Sequence, residues 1–134
     1  MSDVHVRVRV GAERYALPVA HVREVGEIGD LSAAPGTSHA LLGLRNLRGE
    51  VLPVFDLALV LGSPRSDAAR RMVVAERGGT RAGFAVDEVT DVDAIGAAGQ
   101  EADSDLLTSA LLIDGALVGV VDVDRLFENL EAAA

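Results

Sequence analysis

LLGLRNLRGEVLPVFDLALVLG, the stretch from Leu41 to Gly62, decides the fold, because the chain nearly says it again. The later stretch Leu112 to Phe127 reads LIDGALVGVVDVDRLF. Gly49 falls on Gly115, Val54 on Val120 and Asp56 on Asp122. Upstream, Gly11, Arg14, Val19, Val22, Glu24 and Val25 fall on Gly78, Arg81, Val86, Val89, Asp91 and Val92. A shift of about 67 residues, half the chain, means two copies of one supersecondary unit rather than a solenoid of small repeats. A doubled unit creates a cleft between its copies. None of the usual catalytic residue sets is present, so the first reading is a binding module.

With 134 residues the chain is long enough for one domain with a real core. Hydrophobic residues make up 49%, which excludes disorder as a class. Aromatics are only 3% (Tyr15, Phe55, Phe84 and Phe127), so the core must be built of Val, Leu, Ile and Ala. That composition, with 14 glycines, suits short strands and tight turns. The net charge of −9 disfavours nucleic acid and anionic membranes as partners. There is no lysine, hence no Walker-type phosphate lysine and no Schiff base. Cysteine is absent too, which removes disulfides, thiolate metal sites and a cysteine nucleophile. The start, MSDVHVRVRV, lacks the apolar run of a signal peptide, and no stretch approaches a membrane span. A cytoplasmic protein without direct membrane insertion is expected.

Val4, Val6, Val8 and Val10 alternate with His5, Arg7 and Arg9, the pattern of a half-buried strand. Gly11 to Glu13 turns it back into a strand ending at Pro18. Val19, Val22 and Val25 follow at a spacing of three, which predicts a helical turn leading into a strand. Asp30 to His39 reads as an exposed loop. Leu41–Leu47 and Val51–Phe55 flank a turn at Gly49, and Asp56 opens a short helical turn stopped by Gly62. Ser63 to Arg71 is a polar linker. Met72–Ala75 and Thr80–Val86 form a second hairpin around Gly78 and Gly79. Val89, Val92 and Ile95 repeat the spacing of three, and Gly96 to Asp105 is another polar loop. Leu111–Ile113 and Ala116–Val121 pair around Asp114-Gly115, a strong hairpin signal. Asp122 or Asp124 caps a last helix through Leu130, and the Ala tail frays. The pattern predicts an all-β chain of two small barrels sharing a core, with lobes at about 1–66 and 67–134.

These residues carry a resemblance. Gly43, Asn46-Leu47-Arg48-Gly49, Pro53-Val54, Asp56-Leu57 and Gly62 resemble the CheW family of chemotaxis coupling proteins. The match continues through Gly83-Phe84-Ala85-Val86-Asp87, Val89, Val92, Gly115, Val120, Asp122 and Leu126, and covers nearly the whole chain. The resemblance implies two five-stranded SH3-like barrels packed at an angle. It implies a free-standing scaffold linking the cytoplasmic tips of chemoreceptors to the regulatory domain of a CheA-type histidine kinase, within arrays at the inner face of the membrane. Receptor contacts would map near Val22, Glu24, Arg48 and Gly49, along the groove between barrels, with Asn46 beside them. Kinase contacts would use exposed barrel ends, where Met72 is the candidate. Three departures stand out: a trimmed N-terminus, a short Gly96–Asp105 loop, and Arg71-Met72 where the family begins a strand with β-branched residues.

Arg48 has a plain reading as an exposed turn arginine, and a sharper one as a planar fork for a partner carboxylate. Gly49 reads as a positive-φ position, and Asn46 as a turn residue. N-capping explains Asp56 and Asp122. Glu24 reads as a surface charge or a receptor contact, and Val22 as core or groove floor. Asp87, Asp91 and Asp93 could suggest a hard-cation site, but no EF-hand loop is present and the repeat explains two of the three. His5, His21 and His39 have no ligand spacing. No enzyme activity, cofactor or metal is therefore expected. A CheW-like scaffold or ligand-binding module of another pathway, such as surface motility, is the alternative to a chemotaxis adaptor.

Overall fold

The computed structural model describes residues 4–33, 39–64, 69–95 and 104–132. The middles of the three polar segments expected between strands, and the end of the Ala tail, lie outside the described residues. The first hairpin is β1 (Val4–Val10) and β2 (Glu13–Pro18). A single 3-10 turn, Val19–His21, leads into β3 (Val22–Glu27). Next come β4 (Leu41–Leu47), β5 (Glu50–Asp56) and a one-turn helix, α1 (Leu57–Val60). The second copy repeats the series as β6 (Arg71–Arg77), β7 (Thr80–Val86), β8 (Glu88–Ala94), β9 (Leu107–Ile113), β10 (Ala116–Val121) and α2 (Val123–Ala132).

The strands form two five-stranded sheets of the SH3-like barrel type, ordered β8-β1-β2-β10-β9 and β3-β6-β7-β5-β4. Replacing each strand by its counterpart in the other copy converts one order into the other. The barrels therefore do not coincide with residues 1–66 and 67–134. Each takes the first hairpin of one copy and the last three strands of the other. Parallel pairs, β2 with β10 and β5 with β7, join the exchanged hairpins to their new sheets. Strands β6 and β7 bury both faces, one in their own barrel's apolar cluster and the other in the cluster shared by the two sheets.

The largest apolar cluster spans both sheets. It joins Val6, Val8 and Leu17 of the first to Val73, Phe84 and Val86 of the second, with Leu126 and Phe127 of α2. A smaller cluster fills each barrel: Ala16, Leu111, Val118 and Val120 in one, Leu52, Val54, Met72, Val74 and Ala85 in the other.

The spacing of three has a helical part in the first copy alone and a strand part common to both. Val19–His21 is helical as expected, but no helical turn precedes Val89. Val89 and Val92 share one face of β8 because a bulge intervenes: Val8 pairs with Val89, Arg7 with Asp91 and Val6 with Val92. The same irregularity lies between Val22 and Glu24 of β3. One extra residue turns a period of two into a spacing of three.

Asp56 caps α1 by accepting from the Leu59 amide at 3.4 Å. Asp122 rather than Asp124 caps α2, through the Arg125 amide at 3.1 Å. Gly43 is a close approach: an added Cβ would meet the Ser32 carbonyl oxygen at 2.6 Å. That proximity lets Ser32 and Leu44 exchange two backbone hydrogen bonds of 2.8 Å, which cover part of the outer edge of β4.

Candidate functional site

The β4–β5 turn places Arg48 (φ 51) and Gly49 (φ 86) in the left-handed region. Two positive φ values are what a type I′ hairpin turn requires, and they match the right-handed twist of the flanking strands. Asn46 supports the turn, its Oδ1 accepting from the Gly49 amide at 3.0 Å. Arg48 is thereby held outward, with 70% of its side chain exposed. Its guanidinium forks onto Glu24 of β3, one arm at 3.4 Å and the other closer. The carboxylate stabilises the charged guanidinium and raises its pKa further. Sequence reading named Glu24 and Arg48 separately; the fold makes them a pair.

The rest of the site was not singled out in the sequence. Glu76 of β6 lies in register with Arg81 of β7. Arg81 donates to Glu76 at 2.6 Å and to Glu50 at 3.3 Å, and Arg23 reaches Glu76 at 3.0 Å. Leu47, Arg48, Glu50, Leu52 and Arg81 line a cleft of about 120 Å³ beside the turn. The signal was available. A two-residue Gly78-Gly79 turn fixes the hairpin register and puts residues 76 and 81 opposite one another.

The hydrogen bonds from Arg81, then Arg23, hold the Glu76 carboxyl below the ordinary glutamate range. Unfolded chains take up the proton first, so this stabilisation is present above the ordinary glutamate pKa and is lost as pH falls through the depressed one. Acid titration of thermal stability should therefore show a decline in that window for the wild type. Glu76→Gln should flatten it; an unchanged pH profile would contradict the role given to this carboxylate.

The remaining candidates divide. Val22 opens β3, half-buried and packed against the shared core, so only part of it can meet a partner. Met72 is only 2% exposed, inside its barrel's apolar cluster, and cannot serve as a contact on this surface. The alternation of β6 turns Met72 inward, as it does Val74.

The aspartates weighed as a cation site are engaged elsewhere. Asp91 and Asp93 flank Arg7 at 3.3 and 2.9 Å. Asp87, 2% exposed, accepts from Arg9 at 3.3 Å and from the Gly11 amide at 2.9 Å, pinning the β1–β2 turn. Among the described residues, no group of three or more acidic or histidine side chains is placed to hold a metal ion. No described helix is long and apolar enough to cross a membrane.

Fold and site together define a duplicated double barrel whose charged surface is carried on strand pairs and turns. The CheW-like domain family matches residues 5–131, and the chain belongs to that family. Probable chemotaxis protein CheW of Rhizobium etli is 31% identical, over 96% of this chain and 90% of that protein. Protein FrzA of Myxococcus xanthus is 34% identical, over 92% and 75%. The crystal structure of the scaffolding protein TtCheW from Thermoanaerobacter tengcongensis superposes with a TM-score of 0.81 at 26% identity, over 96% of this chain and 94% of that one.

Proposed function

We propose that this chain is a non-enzymatic chemotaxis adaptor that couples chemoreceptor cytoplasmic tips to the regulatory domain of a CheA-type histidine kinase. The observation that carries the reading is the full-length family match, on a fold also found in a scaffolding protein. The outward Arg48, held by a left-handed turn and oriented by Glu24, is the receptor-facing group. Asn46 and Gly49 shape its turn, and the exposed part of Val22 borders it. The kinase domain docks on barrel ends away from this turn.

Arg48→Glu tests the assignment. It replaces attraction to a receptor carboxylate with repulsion, and should weaken receptor-tip binding by about 30-fold or more. Folding should be little affected, because the Glu24 pair is exposed and screened by solvent. Adding Glu24→Arg restores the internal pair and should not restore binding. Gly49→Val should do the opposite, since an added Cβ there meets nothing within 4 Å but the φ of 86 is strained for a β-branched residue. It should lower the melting temperature and harm all interactions together. Receptor binding that survives Arg48→Glu, or recovers in the charge-swapped double variant, would remove Arg48 from the contact surface.

A second reading is favoured by the similarity to FrzA, a relative whose name carries no mention of chemotaxis. In that reading the same scaffold serves another pathway, such as surface motility. A CheA-type kinase and receptor genes beside this one would favour the first reading, and their absence the second.

A further inference from the structure

The duplication produces a second cleft equivalent to the one beside Arg48. On the other barrel, a cleft of about 200 Å³ is lined by Arg14, Ile113, Asp114, Ala116 and Val118, together with Arg7 and Asp91. Ile113 occupies the place of Leu47, Asp114 that of Arg48, Ala116 that of Glu50, Val118 that of Leu52, and Arg14 that of Arg81. The Asp114-Gly115 turn even repeats the backbone, with φ values of 50 and 81.

The charges do not repeat. In the first cleft, Arg81 is neutralised by Glu50 and Glu76. In the second, Ala116 stands where Glu50 would be, and Arg9 stands opposite Arg14 where Glu76 stands opposite Arg81. Like charges directly opposite on paired strands repel, and Arg9 is itself committed to Asp87 and Glu88. At the other rim, the turn charge is reversed from cation to anion. Arg7 makes its close ion pairs with Asp91 and Asp93, and Asp114 adds only a weaker attraction from farther away. Among the described residues no ion pair engages either Arg14 or Asp114. The outer face of the same hairpin is apolar. Leu112 and Leu117, paired across β9 and β10, are 75% and 64% exposed where the first copy has Asn46 and Val51.

We infer that this second cleft is a docking site for a partner polypeptide segment bearing both an acidic and a basic side chain, the acid meeting Arg14 and the base meeting Asp114. The two rims have opposite charge, and the wall between them is apolar, formed by Ile113, Ala116 and Val118. This assignment does not depend on the receptor role of Arg48.

The test uses the full isotopically labelled chain and the peptide acetyl-Glu-Leu-Arg-amide, followed by NMR shift titration. Saturable shifts are expected at Ile113 to Ala116 and at Thr90 and Asp91. Acetyl-Gln-Leu-Arg-amide and acetyl-Glu-Leu-Gln-amide should each bind roughly threefold more weakly, the worth of one exposed ion pair. Arg14→Gln and Asp114→Asn should each weaken the parent peptide by about as much. Asparagine tolerates the left-handed turn, so Asp114→Asn keeps the hairpin. Ala116→Glu returns the carboxylate that Glu50 supplies to Arg81. It should abolish the preference for the acidic residue while leaving the melting temperature unchanged or higher. Shifts centred on Leu47 to Leu52, equal affinity for all three peptides, or free arginine binding as tightly as the peptide would overturn the assignment. So would concentration-dependent shifts at the same residues without peptide, which would make the occupant a second copy.

Discussion

A chain truncated to residues 1–66 is expected to stay unfolded. It retains β1 to β5, but the hairpin β1–β2 loses both neighbours, β8 and β10. Strand β3 loses its only partner, β6, and the β4–β5 hairpin loses β7. What remains is isolated hairpins, which are marginal at best in water. The large apolar cluster loses Val73, Phe84, Val86, Val121, Leu126 and Phe127 at the same cut. Circular dichroism of the fragment should show no cooperative melting, whereas the full chain should melt in one transition. Mixing the 1–66 and 67–134 fragments should restore strand signal, because each holds the strands the other lacks. Cooperative unfolding of either fragment alone would contradict the exchanged topology.

Phe84→Ala is expected to be the most damaging single core substitution. Phe84 is fully buried on β7, and its ring centroid lies 6.1 Å from those of both Phe55 and Phe127. The Phe55 ring is stacked at 27° and the Phe127 ring meets it edge-on at 73°. Removing the Phe84 ring takes the aromatic contact from both neighbouring rings and opens a hole between them. Truncating a buried phenylalanine costs about 3–5 kcal/mol through lost transfer energy and the cavity left behind. For a domain of this size, that lowers the melting temperature by on the order of 10 °C. Phe84→Leu should cost distinctly less. A loss below about 0.5 kcal/mol for the alanine variant, the level of a surface site, would show that this ring is not central.

Much of the architecture was legible because it depends on local rules. Alternating valines wrote β1, and Asp114-Gly115 and Gly78-Gly79 wrote their hairpins. Asp56 and Asp122 wrote helix starts, since a carboxylate beside unpaired amides caps whatever fold surrounds it. The bulge on β8 was misread because the two patterns look alike. Three-residue spacing is shared by a helical turn and a strand with one extra residue. Met72 was misplaced for a related reason, as a strand buried on both faces carries no alternation to mark its inward side.

The sequence by itself determined the duplicated all-β unit, the family, and the outward turn that presents Arg48. The turn follows from residues close together in the chain, whose backbone preferences act before any long-range contact forms, and the duplication and the family follow from patterns that can be compared along the chain without knowing which strands pair. Only the tertiary structure decided which hairpin joins which sheet, because pairings between strands distant in the chain depend on jointly burying two faces of β6 and β7. It also decided that Arg48 meets Glu24, 24 residues away, and that the equivalent cleft brings Asp114 and Arg14 together with no ion pair to either among the described residues. Charge balance is settled by neighbours in space, and for Arg14 with Asp114, as for Arg81 with Glu50, those neighbours come from opposite halves of the chain.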